Sequence, residues 1–284
     1  MRLEFCGVRG STPAPGGEFV RAGGHTSCVA LAHEGQPFTL LLDAGTGVRR
    51  VTDLLGGHAF DGTLLLTHLH WDHVQGLPFF AAADREDSNV VVYMPEQTGP
   101  DGRAREPADV LALAMSPPHF PIGPDGLRGH WRFESVKPGS HQIEGFDVHA
   151  FEVPHKGGRT FGYRISDGDW SVAYIPDHLP GASTNVEIER ECGGVDLLVH
   201  DSQFVEQERT VADLFGHATV GDALTLAQRC GARRLALFHH APARSDDDLD
   251  AIGRAAVEAG AGKGIDVFVA REGAVIDSGS PTEA

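Results

Sequence analysis

Residues 67 to 76 read THLHWDHVQG and directly follow a short apolar run, LLL. His68 and His70 stand two positions apart at the end of a predicted strand, so both imidazoles leave the same face of the sheet. Asp72 and His73 follow where the strand gives way to a turn and a predicted helix, so they point in a different direction. Two pairs of potential metal ligands are therefore expected side by side.

A single histidine on a strand is usually structural. Four titratable side chains behind one buried strand are different, because removing them from water without a partner is costly. They exceed what one tetrahedral site with an open position needs, but they suit two adjacent ions. The spacing therefore predicts a dinuclear centre, with one ion held by His68 and His70 and the other by Asp72 and His73.

Short β-branched or leucine-rich runs bounded by Gly, Pro or Asp recur along the chain and predict strands. The runs are LEFCGV, TSCVALA, FTLLLDAG, GTLLLTH, NVVVYMP, FDVHAFEVP, TFGYRI, SVAYIPD, VDLLVHD, RRLALFHH and IDVFVA. Helical spacing appears from Val220 to the residue before Gly231, and again after the N-cap signal at Ser245, with a stop at Gly260. This order predicts an α/β layered architecture with two sheets and helices outside.

The chain has 284 residues, of which 41% are hydrophobic and 22% charged, a globular composition. We expect one domain over residues 1–284, with a Pro/Gly-rich insert at about 94–130 that is either a functional lid or a decorated surface loop. The four cysteines lack paired spacing and are expected to be reduced and mostly buried.

The formal net charge is −17. This balance argues against a protein whose main task is to track a nucleic-acid backbone, because that affinity comes from many Lys and Arg side chains. The sequence also lacks a signal peptide and any long apolar run, so the expected location is cytoplasmic, without membrane contact.

The HxHxDH motif after a hydrophobic strand resembles the signature of the metallo-β-lactamase superfamily, and the resemblance extends over nearly the whole chain. It implies a four-layer αββα sandwich of two mostly antiparallel or mixed sheets. It also implies that a first ion is bound by His68, His70 and His155, a second by Asp72, His73 and His239, and that Asp177 bridges them.

His240 is an alternative to His239, because neighbouring strand residues face opposite sides and only one is expected to reach the metal. The resembling segment reads strand, His, two residues, Pro, which places His239 at the ligand and Pro242 at the proline and therefore favours His239. His240 is then expected to support a ligand or face the substrate.

The segments DLLVHDSQF, FGHATVGDALTLA and RLALFHHAP resemble the branch that contains RNase Z and the carbon–phosphorus-lyase cyclic phosphodiesterase. This implies that Asp201 orients His217, which donates a proton to the leaving group, while Asp72 belongs to both the metal and the catalytic set. RNase Z usually has Glu where this chain has Asp201, so the hydrogen-bond geometry of the pair is open.

These observations predict a hydrolase with two divalent ions, zinc or alternatively manganese, that cleaves a small or cyclic nucleotide-like phosphodiester. A long RNA such as tRNA is not the expected substrate, because the chain is acidic and shows no basic arm for gripping tRNA. The alternatives are a lactone or thioester hydrolase and a non-catalytic module that binds metal or nucleotide. The resemblance also implies a possible homodimer.

Four further side chains have weaker signals. Lys156 and Arg9 could touch a phosphate, although a solvated surface cation is the simpler interpretation for each. His119 and Phe120 of the insert could cap the site, where an aromatic ring could stack on a base. Asp43, after a buried strand, is expected to support neighbouring backbone or a ligand histidine.

Overall fold

The computed structural model describes residues 1–168, 170–181 and 185–278. The described residues form two seven-stranded sheets. In chain order the strands are β1 (Arg2–Gly7), β2 (Cys28–Ala32), β3 (Leu40–Leu42), β4 (Asp61–Leu65), β5 (Asn89–Pro95), β6 (His130–Val136), β7 (Gly139–Ile143), β8 (Phe146–Glu152), β9 (Phe161–Ser166), β10 (Ser171–Ile175), β11 (Leu197–Asp201), β12 (Arg234–Phe238), β13 (Asp266–Val269) and β14 (Val275–Asp277).

The helices lie between these strands. They are α1 (Val48–Leu54), α2 (Trp71–Val74), α3 (Pro107–Ala112), α4 (Asn185–Glu191), α5 (Arg209–Phe215), α6 (Val220–Cys230) and α7 (Asp246–Ala261), with short 3₁₀ turns elsewhere. Within the described ranges, no helix is both long and apolar enough to cross a membrane.

Both sheets are mixed. The first has the order β14-β1-β2-β3-β4-β5-β6 and the second β13-β12-β11-β10-β9-β8-β7. The run β3 to β6 is parallel in the first sheet, and β10 to β13 is parallel in the second, while the remaining pairs are antiparallel. The carboxyl ends of parallel strands lie at one edge of a sheet, so residues that follow several strands can form a site there.

Three apolar layers hold the sheets and helices together. One lies between the sheets and contains side chains of both, such as Leu42 and Tyr174. A second covers the outer face of the first sheet with α1, and a third covers the outer face of the second sheet with α6 and α7. The layer order is therefore helix, sheet, sheet, helix, which confirms the predicted αββα sandwich.

The two helices expected from spacing are present. Helix α6 ends before Gly231, whose φ of 69° lies in the left-handed region that terminates helices. Helix α7 is capped by the Ser245 hydroxyl, which accepts the Asp248 backbone N–H, and it runs one residue past the predicted stop at Gly260. The proposed insert is partly ordered into secondary structure, because α3 and a 3₁₀ turn lie within it.

Candidate metal centre

The ends of six strands converge on one edge of the sandwich. In the first sheet, the segments that follow β3 and β4 reach this edge. In the second sheet, the carboxyl end of β11 and the segments that follow β8, β10 and β12 reach it. The side chains that they carry are Asp43, His68, His70, Asp72, His73, His155, Asp177, Asp201 and His239. The topology therefore brings together residues that are up to 196 positions apart in sequence, from Asp43 to His239.

One group of four side chains consists of His68, His70, His155 and Asp177, with ligand-type atoms all within 4.8 Å of one another. His155 Nε2 lies 3.3 Å from His70 Nδ1 and 3.3 Å from Asp177 Oδ2. Burial lowers the pKa of each of the three histidines. Their imidazoles are therefore favoured in the neutral form that can bind a metal ion.

A second group contains Asp72, His73 and His239. Asp72 Oδ2 lies 3.1 Å from His239 Nε2, and the two imidazole Nε2 atoms are 3.3 Å apart. Asp177 Oδ1 lies 3.1 Å from both of those nitrogens, while its Oδ2 faces the first group. Asp177 therefore stands between the two groups.

The charges of this cluster call for a cation. Burial would raise the pKa of Asp177 and Asp72, but the neighbouring His239 and His73 outweigh it and hold both carboxyls well below their usual range. Burial likewise opposes protonation of His73, yet the surrounding carboxylates, led by Asp72, raise its pKa well above the usual value. Buried carboxylates thus attract positive charge to this point, as a proton or a metal ion.

The donor set fits divalent metal ions. His68 Nε2 and Asp177 Oδ1 are buried and have no hydrogen-bond partner among the described residues. His73 donates from Nδ1 to Asp43 Oδ2 at 2.8 Å, so Nε2 is the ring nitrogen left for a metal ion, and it faces the Nε2 atom of His239. Imidazole nitrogens and carboxylate oxygens in this arrangement are typical zinc ligands.

Asp43 lies beneath this cluster and supports it as expected. Its carboxylate accepts the Thr67 backbone N–H at 2.7 Å, the His73 ring N–H and the Tyr174 hydroxyl at 2.9 Å. Thr67 and His73 belong to the segment after β4, whereas Tyr174 lies on β10. Asp43 therefore fixes the orientation of a ring in the cluster and ties the two sheets together.

Asp201 and His217 form a buried pair at the edge of the cluster. His217 Nδ1 lies 3.0 Å from Asp201 Oδ2, and 3.8 Å from Asp177 Oδ2. Asp201 also accepts the backbone N–H groups of His178, Gln203 and Ala218, so its orientation is fixed from several sides. Burial lowers the pKa of His217, but the charge of Asp201 outweighs this effect and raises it to about 9.

The structure separates the two adjacent histidines. His239 has a φ of 59° and its ring enters the cluster, whereas the His240 ring is buried elsewhere and pairs with the Ala270 carbonyl oxygen at 2.9 Å. Burial lowers the pKa of His240 to about 3. His240 therefore does not face a substrate, contrary to one of the expected roles.

The cations singled out in the sequence also have other partners. Arg9 is fully buried, lies 3.8 Å from Asp246 and donates to the carbonyls of Gly23 and Arg244, so it is not a solvated surface cation. The Lys156 ammonium donates to the Leu214 carbonyl. Phe120 of the insert packs edge-on against Phe79, with ring centroids 5.8 Å apart.

Sequence reasoning missed a buried imidazole pair. His178 Nδ1 lies 3.0 Å from His200 Nε2, and His200 Nδ1 donates to the Asp201 carbonyl oxygen at 2.7 Å. The two residues are chain neighbours of Asp177 and Asp201, respectively. Each histidine stands next to an aspartate that already had a predicted role, so the histidines themselves were not considered. Ser11 was missed as well, and its backbone N–H donates to Asp72 Oδ2 at 2.6 Å.

Known proteins resemble this chain over most of its length. A Ribonuclease Z of Natronomonas pharaonis is 27% identical over 335 residues, covering 100% of this chain and 99% of the relative. The crystal structure of human tRNase Z, short form, superposes with a TM-score of 0.66 at 22% identity, covering 98% of this chain and 99% of the other. A diphosphatase from the PhnP family gives a TM-score of 0.66 at 18% identity, covering 97% of each chain.

These relatives overturn the expected partners. The acidic composition favoured a small phosphodiester over tRNA, whereas the matching relatives are named Ribonuclease Z and one structural neighbour is a tRNase Z. The physical error was to treat a net charge of −17 as a uniform surface property. Net charge sets the distant field, but local groups and bound ions set the field where a phosphate sits.

The family itself follows from a match to most of the chain. The family model described as a beta-lactamase superfamily domain matches residues 39 to 240, which run from β3 to the end of the metal cluster. With the αββα sandwich and the clustered histidines and aspartates in place, the expected superfamily is confirmed. The chain belongs to the beta-lactamase superfamily and is a metal-dependent hydrolase of the metallo-β-lactamase fold.

Proposed function

We propose that this chain is a metal-dependent ribonuclease that hydrolyses a phosphodiester bond in RNA of the tRNA class. Relatives named Ribonuclease Z, which align with all or most of the chain, support this substrate class. The observation that carries the reaction type is the Asp201–His217 pair beside the metal cluster. A ribose alkoxide is a poor leaving group, so phosphodiester cleavage benefits from a positioned proton donor.

The chemistry of the pair is explained by its environment. Asp201 accepts a hydrogen bond from His217 Nδ1 at 3.0 Å and favours the protonated imidazole. The proton on Nε2 is then the one available to the leaving oxygen. Asp201 keeps its orientation because backbone N–H groups also bind it. The shorter Asp side chain, where RNase Z usually has Glu, therefore still reaches the imidazole.

The metal ligands belong to the same proposal. We assign a first divalent ion to His68, His70 and His155 and a second to Asp72, His73 and His239, with Asp177 shared between them. Zinc is the first expectation, and manganese is the alternative. Ions bound there supply Lewis acidity that withdraws charge from the phosphoryl oxygens and activates a water molecule.

The test measures cleavage by protein reconstituted with zinc or manganese. Substrates are tRNA transcripts with and without flanking sequence at each end, bis(p-nitrophenyl) phosphate, a lactone and a thioester. His217→Ala should lower cleavage of the tRNA transcripts by about 100-fold or more, while metal content stays unchanged. His58→Ala is the matched control, because His58 is exposed in the turn after α1.

The outcomes separate the possible reactions. Cleavage of tRNA transcripts that depends on His217 supports the proposal. Turnover of the lactone or thioester without RNA cleavage would instead assign acyl chemistry to the site. Unchanged RNA cleavage by His217→Ala would remove this residue as the proton donor.

A further inference from the structure

Trp71 is an exposed aromatic side chain set inside the metal-binding motif. Its relative exposure is 73%, whereas its chain neighbour Asp72 is buried and its other neighbour, His70, is partly buried. Consecutive Cα atoms are about 3.8 Å apart, so the backbone of Trp71 lies directly beside two residues of the cluster. The exposed indole therefore branches from the backbone between two residues of the cluster, and we call the surface around Trp71 and His217 the mouth of the candidate metal centre.

Local structure keeps this indole outward. Helix α2 begins at Trp71, and its next three residues, Asp72, His73 and Val74, are all buried. With those three turned inward, Trp71 is the member of the helix that remains in solvent. Among the described residues its indole has no hydrogen-bond or ring partner. An indole usually gains stability from burial, so a bare one beside a site calls for an explanation.

Side-chain cations around the cluster are already engaged. Five basic residues on segments next to it each have a carboxylate or carbonyl partner. The pairs are Arg9 with Asp246, Lys156 with the Leu214 carbonyl, Arg159 with Glu152, Arg209 with Asp222, and Arg244 with Glu208. In a chain of net charge −17, contacts between such cations and RNA phosphates are a weak source of affinity.

A second side of the mouth is apolar. Leu214 and Phe215 at the end of α5 are 64% and 58% exposed, and Gly216 and His217 follow them directly. A Cβ on Gly216 would lie 3.0 Å from Lys156 Cγ and 3.4 Å from His155 Nδ1, so the end of α5 packs against the cluster. The rim thus offers exposed apolar surface on the side of His217 as well as at Trp71.

We propose that the Trp71 indole stacks on an unpaired nucleobase of the RNA next to the phosphodiester that is cleaved. The inference rests on the proposed ribonuclease function and names how that substrate is held. Stacking needs no net charge and tolerates any base, because every base has a π face. It accounts for how an acidic protein holds RNA at a metal centre with few uncommitted cations.

The test is a double-mutant cycle between protein and RNA. The protein variants are wild type, Trp71→Ala and Trp71→Phe, with Val20→Ala as a control because Val20 is equally exposed at 73% and lies beside the start of α7. The RNA has, after its cleavage site is mapped, either a normal or an abasic nucleotide on each side of that site. Zinc content and the molecular mass of the native protein in solution, which reports its oligomeric state, are measured for every variant.

We expect Trp71→Ala to lower kcat/KM for normal RNA by about 10-fold, mainly through KM, and Trp71→Phe to retain most of the activity. The abasic RNA should cost the wild-type enzyme a similar factor, yet cost Trp71→Ala almost nothing further, because the two changes remove one contact. Val20→Ala should behave as wild type.

Several results would overturn the inference. Full additivity of the two changes, or equal kcat/KM for wild type and Trp71→Ala, would remove the stacking contact while leaving the ribonuclease function intact. A loss of zinc in Trp71→Ala would assign the residue to holding the metal ligands, and a change in molecular mass would assign it to contact with a second copy of the chain. Failure of the wild type to cleave any RNA would overturn the proposed function, and this inference with it.

Discussion

Asp43 shows how a single residue can orient a predicted ligand of the candidate metal centre. Its φ of 59° lies in the left-handed region, which Asp and Asn tolerate better than other side chains. The bend aims its carboxylate at donors from both sheets, including Thr67, His73 and Tyr174. Because His73 donates from Nδ1 to Asp43, Nε2 is the ring nitrogen left to bind a metal ion in the cluster.

Asp43→Asn is therefore expected to weaken metal binding without unfolding the protein. Asn keeps the backbone conformation. Its NH₂ group, however, must face a hydrogen-bond donor at a place where the carboxylate oxygen of Asp43 accepts a hydrogen bond. Zinc affinity, measured by competition with a chelator, should fall by about 10- to 100-fold. Asp53→Asn in α1, where the side chain is exposed, should bind zinc as the wild type does. Equal affinity in both variants would contradict this role for Asp43.

The Asp201–His217 pair predicts a pH dependence with a definite sign. A proton donor must start protonated, and Asp201 raises the pKa of His217 to about 9 against the opposing effect of burial. Activity that uses this proton should persist up to about pH 9 and decline above it. Asp201→Asn removes the largest effect that opposes burial, so the pKa of His217 falls and the alkaline limb moves to lower pH.

A profile of kcat/KM against pH on tRNA transcripts, whose ribose leaving group needs a proton, checks this expectation. Asp147→Asn, which changes an exposed carboxylate on β8, is the control and should leave the limb in place. If the limb does not move in Asp201→Asn either, it reports another ionising group.

Among the elements, the strands that the sequence did not reveal lie at sheet edges. The interior strands could be predicted because burial on both faces requires continuous apolar runs, as in GTLLLTH for β4. By contrast, β6, β7 and β14 were missed, and each is the outermost strand of its sheet. HWRFESV and GSHQI alternate exposed and partly buried side chains, so they lack the continuous apolar run that predicts an interior strand. Edge position, which is a tertiary property, decided these failures.

The site was predictable wherever local rules apply. The structure places the four side chains of the motif at 68–73 in two adjoining groups, and the cap at Ser245 follows from its own neighbours. The choice between His239 and His240 could not be derived from strand alternation alone, because the positive φ of His239 departs from a strand conformation. The buried pairing of His178 with His200 depends on the meeting of the segments after β10 and in β11, which no local pattern encodes.

At the scale of the whole molecule, an excess of negative charge is compatible with a phosphodiester substrate if the negative side chains do not face the bound RNA backbone. Part of the excess is concentrated at the metal centre, where Asp43, Asp72, Asp177 and Asp201 are all buried. These buried carboxylates are the counter-charge for the two divalent ions proposed above and do not face an RNA backbone. Much of the remainder is spread over the surface and produces a repulsive field that salt screens within about 10 Å at 0.1 M.

This arrangement predicts a shallow salt dependence for RNA cleavage. A protein that neutralises six to ten phosphates with Lys and Arg loses about 10³ to 10⁵ in affinity between about 50 and 200 mM salt. Here the cations that frame the cluster are paired, and salt also relieves the repulsion from a net charge of −17. The value of kcat/KM for tRNA transcripts should therefore change by less than about 10-fold over that range. Bis(p-nitrophenyl) phosphate, which has a single phosphate, corrects for any salt effect on the chemical step. A fall of about 1,000-fold for RNA alone would mean that a basic surface grips the backbone, and the acidic balance of this chain would then have no bearing on how it holds its substrate.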